Sequence, residues 1–256
     1  MKIVAVIPAR WHSTRLKEKV LADICGKPML RHVWERVSEA HSVDEVVIAC
    51  DKEKVLKAAK SFGAQAIFTS PDHSSGTDRI SEIAATVDAD VYINVQADEP
   101  LVDPLMIDQL AQVFEYEKNV LMATLIKRID RAEDINDPGV VKVVVDRKGF
   151  ALYFSRSPIP YMAPDGPAGD SAATTGSGLR GGYYKHIGLY SYTKDFLFTY
   201  RNLPRSMLEM DEKLEQLRVL EHGYKIKTIE TRHETIGVDT QEDLDRVRRI
   251  MLEKDK

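Results

Sequence analysis

The chain has 256 residues, of which 43% are hydrophobic and 30% charged, a composition that suits one large globular domain with or without a modest appended lobe. Its 36 lysines and arginines against 40 aspartates and glutamates give a formal charge of -4, which argues against a general nucleic-acid-binding protein because such a protein needs a basic excess. No apolar run approaches the ~20 residues needed to span a bilayer, and the N-terminal run, residues 3–7, is too short for a signal peptide. We therefore expect a cytoplasmic protein that does not insert into membranes.

In the first half of the chain, apolar runs of strand length alternate with segments of helical period. The pattern predicts strands at residues 2–7, 45–50, 65–69 and 90–95, and helices at 29–40, 53–62, 78–87 and 104–116, with Thr77 capping the third helix. This alternation is typical of an α/β fold with a mostly parallel central sheet and helices on both faces. Because ligands bind at the carboxyl ends of the strands in such sheets, we expect the loops after Ile7, Thr69 and Val95 to converge on one site.

The second half of the chain is less regular. Strands are predicted at residues 120–126, 140–145, 151–154, 185–192 and 224–230, with a hairpin turn at 146–149, and helices at 208–222 and 241–254, the last capped by Thr240. Residues 165–182 are rich in Gly, Ser, Ala and Thr and predict a loop, either a lid or a tolerated surface insertion. We interpret residues 1–256 as a single domain in which residues 121–192, approximately, form a smaller lobe.

Among the cations in the run IPARWHSTRLKEK after the first strand, Arg10, Arg15 and Lys19 are the phosphate-binding candidates. Guanidinium and ammonium groups at the carboxyl end of a strand suit the oxygens of a triphosphate, which become more negative as pyrophosphate leaves. A solvated basic loop is the alternative interpretation. The run contains neither a GxxxxGK[ST] loop nor a GxGxxG fingerprint, so a P-loop ATPase or a Rossmann dehydrogenase is not indicated.

The arrangement IPAR, STRL, Lys19 and then GKPML resembles the nucleotide loop of the sugar-nucleotidyltransferase superfamily. Within it, the chain resembles the 3-deoxy-manno-octulosonate (KDO) cytidylyltransferase family, also called CMP-KDO synthetases. Seven further motifs carry this resemblance, in order along nearly the whole chain: SSGTDRI (74–80), NVQADEP (94–100), VKVVVD (141–146), ALYFSRSPIP (151–160), KHIGLYSY (185–192), LEQLRVLEHG (214–223) and GVDTQEDL (237–244). The resemblance implies a homodimeric enzyme that joins CTP to KDO, an acidic eight-carbon sugar, with Mg²⁺ as cofactor and pyrophosphate as product, for lipopolysaccharide or capsule synthesis.

Short residues and a glycine in the SSGT run allow backbone groups to approach a flat base closely, although a turn and a helix cap would explain the same residues. The resemblance implies that these residues recognise cytosine together with the end of the first strand. The CTP-binding candidates are Pro8, Ala9, Arg10, Ser74, Ser75, Gly76, Arg79 and Gln96.

Two aspartates are the candidate metal ligands. Asp98 closes the fourth strand and Asp239 lies just before the last helix, where a helix-cap or turn role is the alternative. Hard carboxylate oxygens suit Mg²⁺, and the resemblance implies that both aspartates hold it. Glu99 is a weaker candidate beside them. The catalytic set is thus Arg10, Arg15, Lys19, Asp98 and Asp239, and we assign no general base.

The sugar has a carboxylate and several hydroxyls to be recognised. On a strand, His186 and Tyr190 share one face, although such residues often only pack in a core. The resemblance implies that they contact KDO, and the sugar-binding candidates are Gln96, Arg156, His186, Tyr190, Glu215 and Gln216.

Two positions depart from the family pattern. Ala97 stands where the family usually has glycine, and Val20 stands where it usually has proline. These changes, together with the 165–182 segment, leave open a close KDO analogue such as the 8-amino sugar, or a catalytically silent paralogue that binds CTP or sugar.

Overall fold

The computed structural model describes residues 1–13, 15–73, 75–163 and 182–254. Its strands are β1 (Ile3–Ala9), β2 (Asp23–Ile24), β3 (Lys27–Pro28), β4 (Glu45–Cys50), β5 (Gln65–Phe68), β6 (Val91–Asn94), β7 (Met122–Arg128), β8 (Lys142–Val145), β9 (Ala151–Ser155), β10 (Tyr184–Thr193) and β11 (Lys227–Glu230). Its α-helices are α1 (Met29–Ser38), α2 (Glu53–Ser61), α3 (Gly76–Ala84), α4 (Pro104–Tyr116), α5 (Ala132–Asn136), α6 (Lys194–Asn202), α7 (Met207–Glu212), α8 (Leu217–Glu221) and α9 (Gln241–Lys254). Lys19–Leu21 forms a short 3-10 turn.

One mixed sheet organises the molecule, in the order β11-β7-β10-β6-β1-β4-β5. Strands β1, β4, β5 and β6 run parallel to one another, whereas β10 is antiparallel to both β6 and β7. The hairpin β8–β9 joins the sheet through β10. The predicted α/β class with a central sheet and flanking helices is confirmed.

Strand β1 shows why helices cover both faces of this sheet. All of its side chains are buried. Ile3, Ala5 and Ile7 pack with α1, α2 and α4 on one face, while Val4 and Val6 pack with α3 and α6 on the other. A strand buried on both sides reads as a continuous apolar run, which is the pattern found in its sequence. The carboxyl end of β1 lies at the edge of the sheet that carries the site described below.

Several predicted elements match the structure, and two predictions are wrong. The bounds of β4, α4 and α9 coincide with those predicted, and the turn between β8 and β9 is closed by Asp146, whose Oδ1 accepts hydrogen bonds from the backbone of Lys148 and Phe150. The predicted helix 208–222 is instead two helices, α7 and α8, because Lys213 adopts a left-handed conformation with φ 53°.

The cap of α3 is Ser75 and not Thr77. The Ser75 hydroxyl accepts from the backbone N–H of Asp78 at 3.0 Å, and the Asp78 carboxylate accepts from the backbone N–H of Ser75 at 3.1 Å. This reciprocal capping box starts the helix at Gly76, two residues earlier than predicted. The predicted cap of α9 is confirmed, since Thr240 Oγ1 accepts from the Asp243 N–H at 3.2 Å.

Three remaining predictions concern the ends and edges of the fold. The predicted loop 165–182 lies outside the described residues except for Gly182. None of the described helices is both long and apolar enough to cross a membrane. The strands β7 and β10 of the predicted smaller lobe are interior strands of the central sheet, and the β8–β9 hairpin joins that sheet through β10.

Candidate functional site

The carboxyl ends of β1 and β6 open onto a polar cleft of about 490 Å³. Its walls are the loop after β1, the start of α3 and the loop after β6, so the predicted convergence of three loops is confirmed. The predicted site residues that line it are Pro8, Arg10, Arg15, Lys19, Ser75, Gly76, Gln96, Asp98, Glu215 and Asp239. His12 and Ser13 also line it and were missed, because nothing but their place beside Arg10 distinguishes them in the sequence.

A cluster of two cations and two carboxylates lies at the centre of the cleft. Lys19 Nζ is 2.6 Å from Asp98 Oδ2 and 3.0 Å from Asp239 Oδ1, and Arg15 Nη1 is 3.1 Å from Asp239 Oδ2. Burial by itself would lower the pKa of Lys19, but the charges and hydrogen bonds of Asp98 and Asp239 outweigh it, so the pKa is raised. Lys19 is therefore held as an ammonium ion.

The backbone brings these distant residues together. The N–H of Val238 donates to the carbonyl of Asp98 at 2.8 Å, which ties the segment before α9 to the loop after β6. Asp239 is fixed in turn because its own N–H donates to Asp243 Oδ2, in the first turn of α9, at 3.0 Å. The main-chain contact of Val238 with Asp98 thus brings Asp239 next to Asp98, although the two aspartates lie 141 positions apart in the sequence.

The donor set fits a magnesium ion. Among the described residues, no group of three or more His, Cys, Asp or Glu side chains is arranged to hold a metal. The two carboxylates of Asp98 and Asp239 nevertheless contact one ammonium, and so already converge on a single cation. Mg²⁺ is commonly bound by one or two carboxylates together with substrate phosphates and water, which is the set that this cleft can supply.

The opposite wall of the cleft is built for close approach of a ligand. Gly76 begins α3, and the nearest side-chain atoms to its missing Cβ, on Pro8 and Asn94, are 3.8 Å away. Ser75 and Gly76 at the start of this helix both line the cleft, where the helix contributes a positive partial charge. Arg10 adds a guanidinium whose Nη2 is buried and has no hydrogen-bond partner among the described residues.

A smaller cavity of about 140 Å³ adjoins the cleft and shares Gly76, Gln96 and Glu215 with it. Three buried atoms on its walls have no hydrogen-bond partner in the described structure, Asn94 Oδ1, Glu215 Oε1 and Gln216 Nε2. Burial raises the pKa of Glu215. Buried polar atoms normally have partners, so unpartnered ones on a cavity wall indicate a polar ligand.

The same cavity contains both predicted and unpredicted residues. Four of the sugar-binding candidates line it, Gln96, Tyr190, Glu215 and Gln216, and so do Thr77, Asn94, Tyr192 and Tyr200. Asn94 and Tyr192 belong to motifs that were quoted for the resemblance, so their place in NVQADEP and KHIGLYSY was the available signal. Tyr200 lies on α6, a helix that the sequence analysis did not predict.

Comparison with known proteins agrees with this geometry. The family model described as cytidylyltransferase matches residues 4–229. A 3-deoxy-manno-octulosonate cytidylyltransferase of Geobacter metallireducens is 50% identical over 248 residues, which cover 96% of this chain and 96% of that protein. The chain belongs to the 3-deoxy-manno-octulosonate cytidylyltransferase family. The resemblance inferred from the motifs is confirmed.

Solved structures support both the family and its fold. The structure of a CMP:2-keto-3-deoxy-manno-octonic acid synthetase complexed with CTP is 44% identical, with a TM-score of 0.89 over 99% of this chain and 100% of that chain. A cytidylyltransferase from Leptospira borgpetersenii is 16% identical, with a TM-score of 0.62 over 97% of this chain and 85% of that chain, a similarity that concerns the fold alone.

Some CTP-binding candidates of this cytidylyltransferase do not reach the cleft surface. The Arg79 side chain is fully buried and pairs with Asp51, so the structure does not bring its guanidinium to the cleft. Ala9 is buried in the core, which leaves only its backbone near the site. Ser74 lies outside the described residues.

The remaining sugar-binding candidates of this cytidylyltransferase are divided between two places. His186 lies against the Tyr190 ring, with ring centroids 5.2 Å apart, and its Nε2 is 3.0 Å from Thr124 Oγ1. Burial lowers the pKa of His186 to about 3, so the imidazole is neutral. Arg156 is not among the residues lining the cleft or the adjoining cavity, because its guanidinium donates to the carbonyls of Glu212 and Pro138, each at 2.8 Å.

Glu99, the residue after Asp98, does not line the cleft. Its side chain is buried, and it lines a second cavity, of about 320 Å³, together with His186. Burial, and to a smaller extent the charge of Asp98, raises its pKa to about 8. Thr235 Oγ1 donates to its Oε1 at 3.4 Å, so Glu99 contacts the chain segment that leads to Asp239.

Proposed function

We propose that this cytidylyltransferase family member transfers CMP from CTP to KDO, giving CMP-KDO and pyrophosphate in the cytoplasm for lipopolysaccharide or capsule synthesis. One observation carries the proposal. Lys19 and Arg15 contact Asp98 and Asp239 in a single cleft, and this cleft continues into a cavity with unpartnered polar atoms. The charged cleft suits a triphosphate, and the adjoining polar cavity suits a polyhydroxylated acid.

In the proposed reaction, the anomeric 2-hydroxyl of KDO attacks the α-phosphorus of CTP. A new bond forms between that oxygen and phosphorus while the bond to the β-phosphate oxygen breaks, so pyrophosphate leaves with the electron pair and the hydroxyl proton passes to solvent. Such transfers depend mainly on positioning and on neutralising charge. Arg10, Arg15 and Lys19 supply the cations for the triphosphate oxygens.

The aspartates have a different part in this proposal. Asp98 and Asp239 would hold a magnesium ion, which when bound neutralises phosphate charge and lowers the pKa of a coordinated hydroxyl. Before the ion binds, the two carboxylates are neutralised by Lys19 and Arg15. The protein therefore keeps its acidic ligands preformed and paired.

The adjoining cavity is the proposed sugar site. Gln216 Nε2 can donate to a sugar carboxylate or hydroxyl, and Glu215 Oε1 and Asn94 Oδ1 can accept from hydroxyls. Tyr190 on β10 lines the same cavity, and the ring of the neutral His186 packs against the Tyr190 ring. These groups leave their buried polar atoms unsatisfied unless a ligand enters, which favours a polar sugar over an apolar one.

A pyrophosphate-release assay tests the proposal. The protein is incubated with Mg²⁺, one nucleoside triphosphate and one sugar at a time, using CTP, UTP, ATP and GTP and then KDO, its 8-amino analogue and sialic acid. We expect release with CTP and KDO. Release only with the 8-amino analogue would show that this analogue, and not KDO, is the sugar substrate. No release in any combination, although the protein still binds CTP, would indicate a silent paralogue.

We further propose that the enzyme is a homodimer that uses the β9 and α7 surface. Large apolar side chains are exposed there, with Leu152 61% and Met207 71% accessible. The two elements adjoin, because the backbone N–H of Arg156 donates to Glu212 Oε2 at 2.9 Å. Most other apolar residues of the β8–β9 hairpin pack within the chain's own core.

Sedimentation equilibrium tests the dimer with matched variants. Leu152→Asp and Met207→Asp each place a charge on the proposed contact and should give monomers. Tyr116→Asp alters a residue that is 81% exposed on α4 and should leave the dimer intact. A wild-type monomer at micromolar concentration would contradict the proposal.

A further inference from the structure

A buried ion pair connects the two walls of the cleft without touching its surface. Asp51, the residue after β4, accepts hydrogen bonds through both carboxylate oxygens. Its Oδ1 accepts from the backbone N–H of Trp11 at 2.9 Å, and its Oδ2 accepts from Arg79 Nη2 at 3.0 Å. The side chains are 9% and 0% exposed for Asp51 and Arg79, respectively. One carboxylate thus links the loop after β1 to helix α3.

The other end of the Arg79 guanidinium extends this connection. Arg79 Nη1 donates to Thr69 Oγ1, and the Thr69 hydroxyl donates to the carbonyl of Cys50 at 3.1 Å. Arg79 lies one turn after Gly76, the first residue of α3. The start of this helix is therefore fixed relative to the ends of β4 and β5 by a single side chain.

Electrostatics explains why the carboxylate is needed. Burial is the largest cause that lowers the pKa of Arg79, and the nearby charge of Arg10 lowers it further, whereas Asp51 opposes both. Arg10 and Arg79 are therefore close enough to repel each other. A buried charge without a partner is strongly unfavourable. Asp51 compensates this repulsion and at the same time holds the residue that follows Arg10.

We propose that Asp51 is a positioning residue for the nucleotide. Through Trp11 it fixes the main chain beside Arg10, and through Arg79 it fixes the start of α3 with Ser75 and Gly76, so it sets the distance between the two walls that receive CTP. The inference rests on the proposed function, because it takes the cleft to be the CTP site.

Steady-state kinetics of Asp51→Asn is the main test. Asparagine still offers an oxygen to the Trp11 N–H but leaves Arg79 without a counter-charge. We expect the KM for CTP to rise about tenfold, while kcat and the KM for the sugar stay within about twofold, since only nucleotide binding depends on this spacing.

Glu209→Gln is the matched control. It removes the charge from the other buried arginine–carboxylate pair, in which Arg218 Nε donates to Glu209 Oε2 at 2.7 Å, in α7 and α8. The control should lose stability in a similar way but leave the KM for CTP unchanged. An equal rise in this KM for both variants would mean that general destabilisation is the cause and would overturn the proposal.

A milder pair of variants covers the case in which Asp51→Asn does not fold. Thr69→Val removes the hydroxyl that receives Arg79 while keeping the shape of the side chain, and Thr69→Ser keeps the hydroxyl. We expect Thr69→Val to raise the KM for CTP at least twofold above that of Thr69→Ser, in the order-of-magnitude range of one lost hydrogen bond acting at a distance. Equal KM values for the two variants would overturn the proposal.

Tryptophan fluorescence separates this proposal from the proposed function. The chain has two tryptophans, so Trp34→Phe leaves Trp11 as the single reporter. In that background CTP is titrated without sugar, and Asp51→Asn should shift the midpoint about tenfold to higher CTP concentration. If CTP neither binds nor reacts in the parent, the proposed function fails. If the parent binds CTP and Asp51→Asn binds it equally well, only the inference about Asp51 fails.

Discussion

The Nζ atom of Lys19 lies 2.6 Å from Oδ2 of Asp98, so the ammonium occupies the place next to the carboxylate where a metal ion would bind. The same ammonium is 3.0 Å from Asp239 Oδ1. On the proposed magnesium assignment, Lys19 and the ion would compete for the same carboxylate oxygens. Lys19 would then hold the two acidic segments together in the metal-free protein and would be available to phosphate oxygens in the metal-bound one.

This competition predicts opposite effects of Lys19→Met on metal binding and on turnover. Without the ammonium, Mg²⁺ no longer has to displace a cation, and we expect its affinity in the absence of CTP to rise about threefold to tenfold. Turnover should fall about 100-fold, because a cation for the leaving phosphates is lost. Calorimetric titration with Mg²⁺ and the pyrophosphate assay measure the two effects.

Lys54→Met is the control for that experiment. Lys54 pairs with Glu18 at 2.7 Å on the surface and contacts neither aspartate. Its replacement changes the net charge by the same amount and should alter neither Mg²⁺ affinity nor turnover by more than about twofold. Unchanged Mg²⁺ affinity in Lys19→Met would show that the ammonium does not compete with the metal.

A second prediction concerns stability at acidic pH. Burial lowers the pKa of His186 to about 3, whereas an unfolded histidine titrates near the ordinary value of 6.5. Between these values the unfolded chain takes up a proton that the native state does not, so stability is fully present above pH 6.5 and decreases as the pH falls. Wild-type protein should lose about 1 kcal/mol more unfolding free energy than His186→Gln between pH 7.5 and 5.5.

Urea denaturation at the two pH values measures this difference. His41→Gln serves as the control because His41 is exposed and should lose as much stability as the wild type. If wild type and His186→Gln show the same loss, the imidazole is not held neutral by burial.

A third prediction separates ligand contact from folding at Gly76. An added methyl group would meet Pro8 and Asn94 at 3.8 Å, an ordinary contact, so the protein itself accommodates alanine. We expect Gly76→Ala to change the unfolding free energy by less than about 0.5 kcal/mol and to raise the KM for CTP about tenfold, because the methyl group occupies space that the nucleotide needs. The KM for the sugar is measured alongside, because Gly76 also lines the proposed sugar cavity. An unchanged KM for CTP would place the nucleotide away from this wall.

Local patterns in the sequence were sufficient for much of the fold. Continuous apolar runs located β1, β4 and β6 because these strands are buried on both faces, and the carboxyl-end rule then located the cleft. The break between α7 and α8 was missed because Lys213 interrupts the backbone and not the apolar period. The position of β10 between β6 and β7 depends on pairing across distant segments, which periodicity does not contain.

The candidate site was predictable where residues lie in the loop that follows a strand, as Arg10 and Asp98 do. The site was less predictable where the orientation of a helix determines which side chains face the cleft. Arg79 lies near the SSGT run in sequence, but α3 turns its side chain inwards to Asp51. Tyr200 joins the cavity from a distant helix, so no motif around the cleft could indicate it.

The final prediction addresses the sugar cavity through Gln216. Its Nε2 atom is buried without a hydrogen-bond partner among the described residues and lies on the cavity that adjoins the cleft. Gln216→Met keeps the length of the side chain but removes the donor. We expect the KM for KDO to rise about tenfold with the KM for CTP unchanged, because only the sugar would lose a hydrogen bond.

Gln109→Met is the control, since Gln109 on α4 also has a buried oxygen without a described partner but does not line the cavity. Pyrophosphate release at varied KDO measures both variants, and equal KM values for KDO in the two would assign sugar recognition to other residues.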